Sequence, residues 1–218
     1  VFLNKKPSQG KEILNDLDPG VVSIQRTIRD ECAAFVKKLK STKYSERVFL
    51  RELNKTEHSS DFDKAVNEFI IRRMSRGGMK KAFAWSDRER GGKPGDVNAW
   101  ETIIDVLPLI SSRLNNVFIF NKPAIQVINA FNYENMLLYA DPPYDPDVRT
   151  SKEVYDIEMT VDQHEELFKA LNNFKGKVII SGYYSPLYKR LYKGWNSAKK
   201  QVVNHSSQQK TKDKRLEM

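Results

Sequence analysis

At Asp141-Pro142-Pro143-Tyr144 an acid, two prolines and an aromatic ring follow directly on the uncharged run Met136-Leu137-Leu138-Tyr139-Ala140. Each of these residue types offers something to a ligand. A carboxylate accepts hydrogen bonds, the carbonyls along a proline pair are free to point outward, and an aromatic ring presents a face to any planar group. The run before the motif reads as a strand buried on both faces, and the prolines end its hydrogen-bond ladder. In an open α/β sheet, ligands sit beyond the carboxyl ends of the strands, so Asp141 and Tyr144 are expected to project into that crevice. The plainer alternative for four residues alone is a proline-rich loop after a strand.

The flanking sequence decides for the first reading. Asp-Pro-Pro-Tyr at a strand end resembles motif IV of the amino-group DNA methyltransferases, which use S-adenosylmethionine. The likeness runs on through Asp145-Pro146-Asp147-Val148-Arg149 to Met159, through Thr160-Val161-Asp162-Gln163-His164, and to Ser181-Gly182-Tyr183-Tyr184 after a strand at Lys177 to Ile180. It is to the Dam-like adenine-specific branch, including phage-encoded members. It spans nearly the whole chain and is clearest from Asn116 to Trp195.

The resemblance implies a Rossmann-like class I methyltransferase α/β sheet with helices on both faces, carrying a mostly helical and loop-rich target-recognition insertion. Residues 1–41 are then part of the cofactor-binding half, 42–100 the insertion, and 101–218 the catalytic part. It implies catalytic roles for Asp141, Pro142, Pro143 and Tyr144. The Asp141 carboxylate and the Pro142 carbonyl accept from the exocyclic amine of adenine, Tyr144 stacks on the flipped-out base, and Asp141 also borders the cofactor. Arg149 then holds a DNA phosphate or orders the loop. Tyr183 or Tyr184 forms a second wall of the base pocket or, equally, part of the core. An RNA adenine methyltransferase and a non-catalytic nucleic-acid-binding relative are the alternatives.

The elements that must position this motif can be read in order. Glu12 to Asp16 reads as a strand, and Asp18-Pro19-Gly20 opens a helix with an acid at the N-cap and a proline at the first helical position. Val21, Ile24, Ile28, Cys32, Phe35, Val36 and Leu39 keep helical spacing to residue 40. An acid ending the second strand of such folds accepts the ribose hydroxyls of a nucleotide. The resemblance puts Asp16 in that role, Leu17 against the cofactor adenine, and Asn121 as a cofactor contact or a turn residue. Asp16 as a mere helix cap is the structural alternative. The chain starts at Val1, and Val1 to Pro7 resemble the segment just after the family's Gly-rich first motif. That motif and its strand are not in this sequence, and Met218 stops where relatives continue into a last strand, so a partial chain is expected.

Beyond Thr42 periodicity weakens until a helix at residues 61–74, with Phe62, Ala65, Val66, Phe69, Ile70 and Met74 on one face. The segment from Arg72 to Lys93 then carries Arg72, Arg73, Arg76, Lys80, Lys81, Arg88 and Arg90 among paired glycines. A solvated basic face is the usual meaning of such a run. Its place in the resemblance makes it a flexible cationic loop that contacts DNA. A formal net charge of +9 agrees with a polyanionic partner, because each neutralised phosphate releases a counterion. Residues 101–115 read as a helix kinked at Pro108, and Val117 to Phe120 as a buried strand. Thr160 and Gln163 form a capping box for a helix whose buried face is Val161, His164, Leu167, Phe168 and Leu171. His164 is therefore a packed histidine rather than a general base. The polar stretch Lys199 to Arg215 is expected to be a mobile loop between two final antiparallel strands.

Other chemistries find no footing. The single cysteine, Cys32, rules out an intrachain disulfide and reads as core. His58, His164 and His205 share no metal-ligand spacing with it, so no metal is expected. No apolar run has transmembrane length and no signal peptide is seen, which with the resemblance points to the cytoplasm of a bacterial cell or a phage-infected host. Phosphate loops, Ser/His/Asp order and Cys-x-x-Cys pairs are absent from the sequence.

Overall fold

A computed structural model of the protein describes residues 2–145, 158–198, 200–203 and 214–217, without the side chains of residues 90, 200–203 and 214–217. It is a mixed α/β protein of helices and small parallel sheets, in two compact units, Val1–Asn121 and Lys122–Met218.

In the first unit, β1 (Glu12–Asn15) lies parallel to β4 (Val117–Phe120), with Glu12 opposite Val117 and Asn15 opposite Phe120. Between them run α1 (Pro19–Asp30), α2 (Cys32–Lys40), α3 (Glu46–Leu53), α4 (Asp61–Arg73), the short strands β2 (Glu89–Arg90) and β3 (Lys93–Pro94), and α5 (Gly95–Leu114). The Asp18 side chain caps α1 by accepting from the Gly20 and Val21 N–H groups. Ser45 and Ser60 cap α3 and α4 in the same way. One core joins Val22, Phe35, Leu39, Phe49, Phe69, Ile70, Trp100 and Leu107: α4 packs on α1 and meets α5 through Phe69 and Trp100, and α3 packs on α4. Cys32 is half-buried against that core.

Three expectations change here. The helix expected to run unbroken to residue 40 is interrupted at Glu31, whose backbone leaves the helical region at φ −132° and ψ 30°. The break lets α2 turn Phe35 and Leu39, both fully buried, into the core. α3 falls where periodicity seemed weak. β4 is not buried on both sides: Val117 and Ile119 are buried, but Phe118 is 50% exposed. Its edge is held by α1, where Arg29 donates to the Val117 carbonyl at 2.9 Å and Arg26 to that of Ile119 at 2.9 Å. α5 spans Pro108 as one helix, although the proline has no N–H to donate to the ladder there.

In the second unit, β5 (Leu137–Ala140) pairs in parallel with β6 (Lys177–Ile180), Leu137 opposite Lys177 and Ala140 opposite Ile180. α6 (Ala124–Ala130), α7 (Val161–Asn172) and α8 (Pro186–Leu191) accompany them. Leu138, Ala140, Val178 and Ile180 face a core of Ile128, Leu167, Leu171 and Phe174. The opposite face carries Leu137 at 57% exposure, Tyr139 at 41% and Ile179 at 51%. The expectation of a strand buried on both faces is therefore corrected. Successive side chains alternate between faces, and only one face meets the α6–α7 layer.

The Thr160–Gln163 capping box is present in full, and His164, Leu167 and Leu171 are buried, whereas Val161 is exposed. β7 (Lys200–Val203) and β8 (Lys214–Glu217) form the final antiparallel pair that was expected, with β7 and the start of β8 taken from the 199–215 stretch; the loop expected between them, residues 204–213, lies outside the described residues. No helix among the described residues is long and apolar enough to cross a membrane.

Candidate functional site

At the carboxyl ends of β5 and β6 the parallel register does the placing. Ala140 opposes Ile180, so the next residue on each strand, Asp141 and Ser181, emerge side by side. The Ser181 hydroxyl donates to Asp141 Oδ1 at 2.7 Å and accepts from the Tyr139 hydroxyl at 3.2 Å, while the Ser181 N–H holds the Ala140 carbonyl at 3.0 Å. Asp141 remains exposed, whereas Pro142 is buried and Pro143 half-buried. An oriented carboxylate thus stands in solvent on a braced loop.

A few residues beyond each strand end, aromatic rings gather. Tyr144 meets Tyr183 edge-on, with centroids 4.7 Å apart and planes at 73°. Tyr184 is exposed. Beneath them lies Tyr188, buried on α8, whose hydroxyl is pushed well above the ordinary phenol range by burial, with Tyr192, Tyr144, Asp145 and Asp141 adding negative potential. Its ring packs closely against Gly182, where any Cβ would collide with it. Ser185 caps α8 by accepting from the Tyr188 N–H at 3.1 Å, which seats that ring. Arg149 lies outside the described residues, as do residues 146–157 as a whole.

The end of β1 is built differently. Asp16 Oδ1 accepts the Asp18 N–H at 2.9 Å, while Asp18 Oδ1 accepts from the Gly20 N–H at 2.8 Å and the Val21 N–H at 3.1 Å. Burial raises the Asp16 pKa above the usual carboxylate value, against the pull of the Asp18 N–H. Leu17 is exposed beside it. The Asn121 amide donates to the carbonyls of both Asp16 and Leu17, at 2.9 and 3.0 Å, so this side chain holds the strand end in shape.

The basic segment is shaped as well as charged. Ser75 bridges Phe83, and the Arg76 and Ala84 N–H groups bond the Ala82 and Met74 carbonyls, both at 2.8 Å. Gly77 and Gly78 take positive φ in the turn this closes. β2 and β3 form a second, antiparallel hairpin through Gly91 and Gly92, both at positive φ, as a type I′ turn requires. Arg73, Arg76, Lys81 and Arg88 are exposed, and Lys80 is half-buried near Glu68; the Arg90 side chain lies outside the described residues. Arg72 differs from its neighbours. Its guanidinium binds Asp18 Oδ2 at 2.6 Å and Glu68 Oε2 at 3.0 Å. Between the hairpin and the α5 N-terminus opens a cavity of about 470 Å³ walled by Tyr44, Phe83, Trp85 and Asp96.

Against known families, the chain matches the model for D12 class N6 adenine-specific DNA methyltransferases over residues 1–208. It belongs to that family. The protein is therefore an enzyme, a methyltransferase that modifies adenine in DNA. No curated protein matches it.

In this methyltransferase, three contacts around the candidate site escaped sequence reasoning. Ser181 was visible as part of a pattern but not as the partner of Asp141; pairing the ends of two parallel strands would have found it. Tyr188 is signalled only by Ser185-Pro186, a helix start that places an aromatic residue three positions on. The tie between Arg72 and Asp18 crosses 54 positions and leaves no local mark. Among the described residues, no group of His, Cys, Asp or Glu is placed to hold a metal ion.

Proposed function

We propose that the enzyme transfers the methyl group of S-adenosylmethionine to N6 of an adenine swung out of a specific double-stranded DNA site, by direct in-line attack. The observation that carries this reading is the 2.7 Å bond from Ser181 to Asp141 Oδ1, with the Tyr144–Tyr183 pair on the same two strand ends. A carboxylate held through one oxygen presents the other as an acceptor, and an aromatic face close by suits a planar base. When bound, the cofactor supplies an activated methyl group whose departure from sulfur needs no acid.

The adenine amine is a weak nucleophile because its lone pair is delocalised into the ring. Hydrogen bonds from N6–H to the Asp141 carboxylate and the Pro142 carbonyl favour the form with that pair localised. Both acceptors strengthen as positive charge develops on nitrogen, so they stabilise the transition state more than the ground state. Orientation contributes on the order of 7–11 kcal/mol in well-aligned systems, which removes the need for a covalent nucleophile. Tyr144 stacks on the extruded base and offsets an unstacking cost of a few kcal/mol. Tyr183 forms the facing wall.

Asp16 is the fitting residue for the ribose of S-adenosylmethionine, because it is half-buried, anchored through one oxygen and sited at a parallel strand end. Leu17 covers the cofactor adenine, and Asn121 fixes the backbone between them. The exposed Arg73, Arg76, Lys81 and Arg88 follow the DNA backbone, with Arg able to read guanine in the major groove. The finer architecture, a Rossmann-like sheet with helices on both faces and a recognition insertion at 42–100, is supported by the two parallel strand pairs and the hairpin-bearing segment between β1 and β4.

The test is tritiated methyl transfer to unmethylated duplex DNA by the full-length protein beside its Asp141→Ala variant. Label recovered as N6-methyladenine, and lost in the variant, is expected. Label entering RNA alone, or undiminished transfer by the variant, would overturn the reading.

A further inference from the structure

We propose that Arg72 is a positioning residue for the cofactor's ribose: from α4 it holds Asp18, and through Asp18 it sets the Asp16 carboxylate. The inference rests on the ribose role given to Asp16.

Arg72 is the last residue but one of α4, in a segment whose other described arginine side chains face solvent, yet its guanidinium is spent on two carboxylates of its own chain. Glu68, one turn earlier on α4, takes Nε at 3.0 Å and orients the fork. Asp18 takes Nη2 at 2.6 Å through Oδ2, while its Oδ1 caps α1. Both Asp18 carboxylate oxygens are thus engaged, and its own N–H is the group that anchors Asp16 Oδ1 at 2.9 Å. Gly20 seats α1 directly on the Glu68 side chain, because a Cβ there would collide with it. The relay runs Glu68, Arg72, Asp18, Asp16.

Charge gives the relay a second consequence. Asp16 and Asp18 are carboxylates two residues apart, and each raises the cost of ionising the other. Burial pushes the Asp18 pKa up, but the Val21 N–H and Arg72 outweigh it and bring the net value below the ordinary one. Arg72 also opposes the rise at Asp16. A guanidinium fork supplies two oriented donors where a lysine offers a point charge, so the position calls for Arg.

The test measures binding of S-adenosylhomocysteine and of its 2′,3′-dideoxy analogue to the full-length protein, for the parent, Arg72→Met, Arg72→Lys and Asp16→Asn. DNA affinity across a salt series and melting temperature are read alongside. Arg72→Met is expected to weaken S-adenosylhomocysteine by about tenfold and the dideoxy analogue by less than about twofold. Arg72→Lys is expected to recover part of the loss, and the salt slope for DNA to stay unchanged. Arg72→Lys carries the comparison where the methionine variant melts too low. Equal losses for both ligands would reduce Arg72 to a fold residue, and a slope lowered by about one would make it a phosphate contact; either overturns the proposal. If Asp16→Asn binds both ligands as the parent does, the ribose reading itself falls and takes the proposal with it. If Asp16→Asn loses affinity while Arg72→Met does not, only the proposal falls.

Discussion

The ends of β1 and β5 each present an acid, and the two acids are held in opposite ways. Asp16 sits in a mesh of contacts: the Asp18 N–H on one oxygen, the Asn121 amide on the neighbouring carbonyls, and Arg72 behind Asp18. Asp141 is held by the Ser181 hydroxyl and stays in solvent. The contrast fits two tasks. A group that recognises a fixed pair of hydroxyls gains from having its geometry settled before the ligand arrives. A group that must accept from an amine while charge builds on that amine needs an oxygen left open.

The largest expected effect strikes the open acid. Asp141→Ala should lower single-turnover methyl transfer by about 10²- to 10³-fold, as loss of a transition-state hydrogen-bond partner does elsewhere, with melting temperature unchanged. A variant as active as the parent would dissolve the distinction drawn between the two strand ends.

Next comes the far end of β1, where the same density of contacts serves stability. Arg113 pairs with both Glu12 oxygens at 2.7 and 2.9 Å, reaches the Phe2 and Lys5 carbonyls and stacks on the Phe2 ring. Arg113, followed by the opposing cost of burial and then Lys5, brings the Glu12 pKa down from 4.5 to about 2. Arg113→Met should destabilise the fold by about 2–3 kcal/mol, read by urea unfolding. Because the folded-state value is depressed, this stabilisation is present above about pH 4.5 and disappears as pH falls toward about 2. The parent should lose that increment over this window, and Arg113→Met should not.

Asp16→Asn keeps the shape and removes the charge. It should weaken S-adenosylmethionine by about tenfold, or roughly 1.4 kcal/mol, and leave the rate at saturating cofactor within about twofold. A change in rate with no change in affinity would reverse the roles assigned to the two acids. The smallest effect is expected for Ser181→Ala, which frees Asp141 Oδ1. Transfer should fall by about three- to tenfold, near 1 kcal/mol for one hydrogen bond. Affinity for the cofactor should not move.

Much of the local architecture is legible in the sequence. The capping box at Thr160 and Gln163, the Asp18-Pro19 helix start, the apolar face of α4 and the strand leading to Asp141 all depend on residues within a few positions of one another. The exposure of Leu137, Tyr139 and Ile179 was not legible, because an apolar run records what a strand offers to bury and says nothing of how many layers cover it. The break at Glu31 also escaped, since the helical spacing of apolar residues runs straight across it.

What the sequence determined by itself is the motif and its family: residue types in a fixed order at the end of a strand, legible because backbone propensity and hydrogen-bond chemistry act over one turn or one strand. What only the tertiary structure decided is who partners whom. Ser181 meets Asp141 across 40 positions, and Arg72 meets Asp18 across 54. A hydroxyl or a guanidinium is equally at home in water, so its residue type carries no record of its eventual partner. That choice is made when strands pair in register and helices pack, bringing distant groups within hydrogen-bond reach.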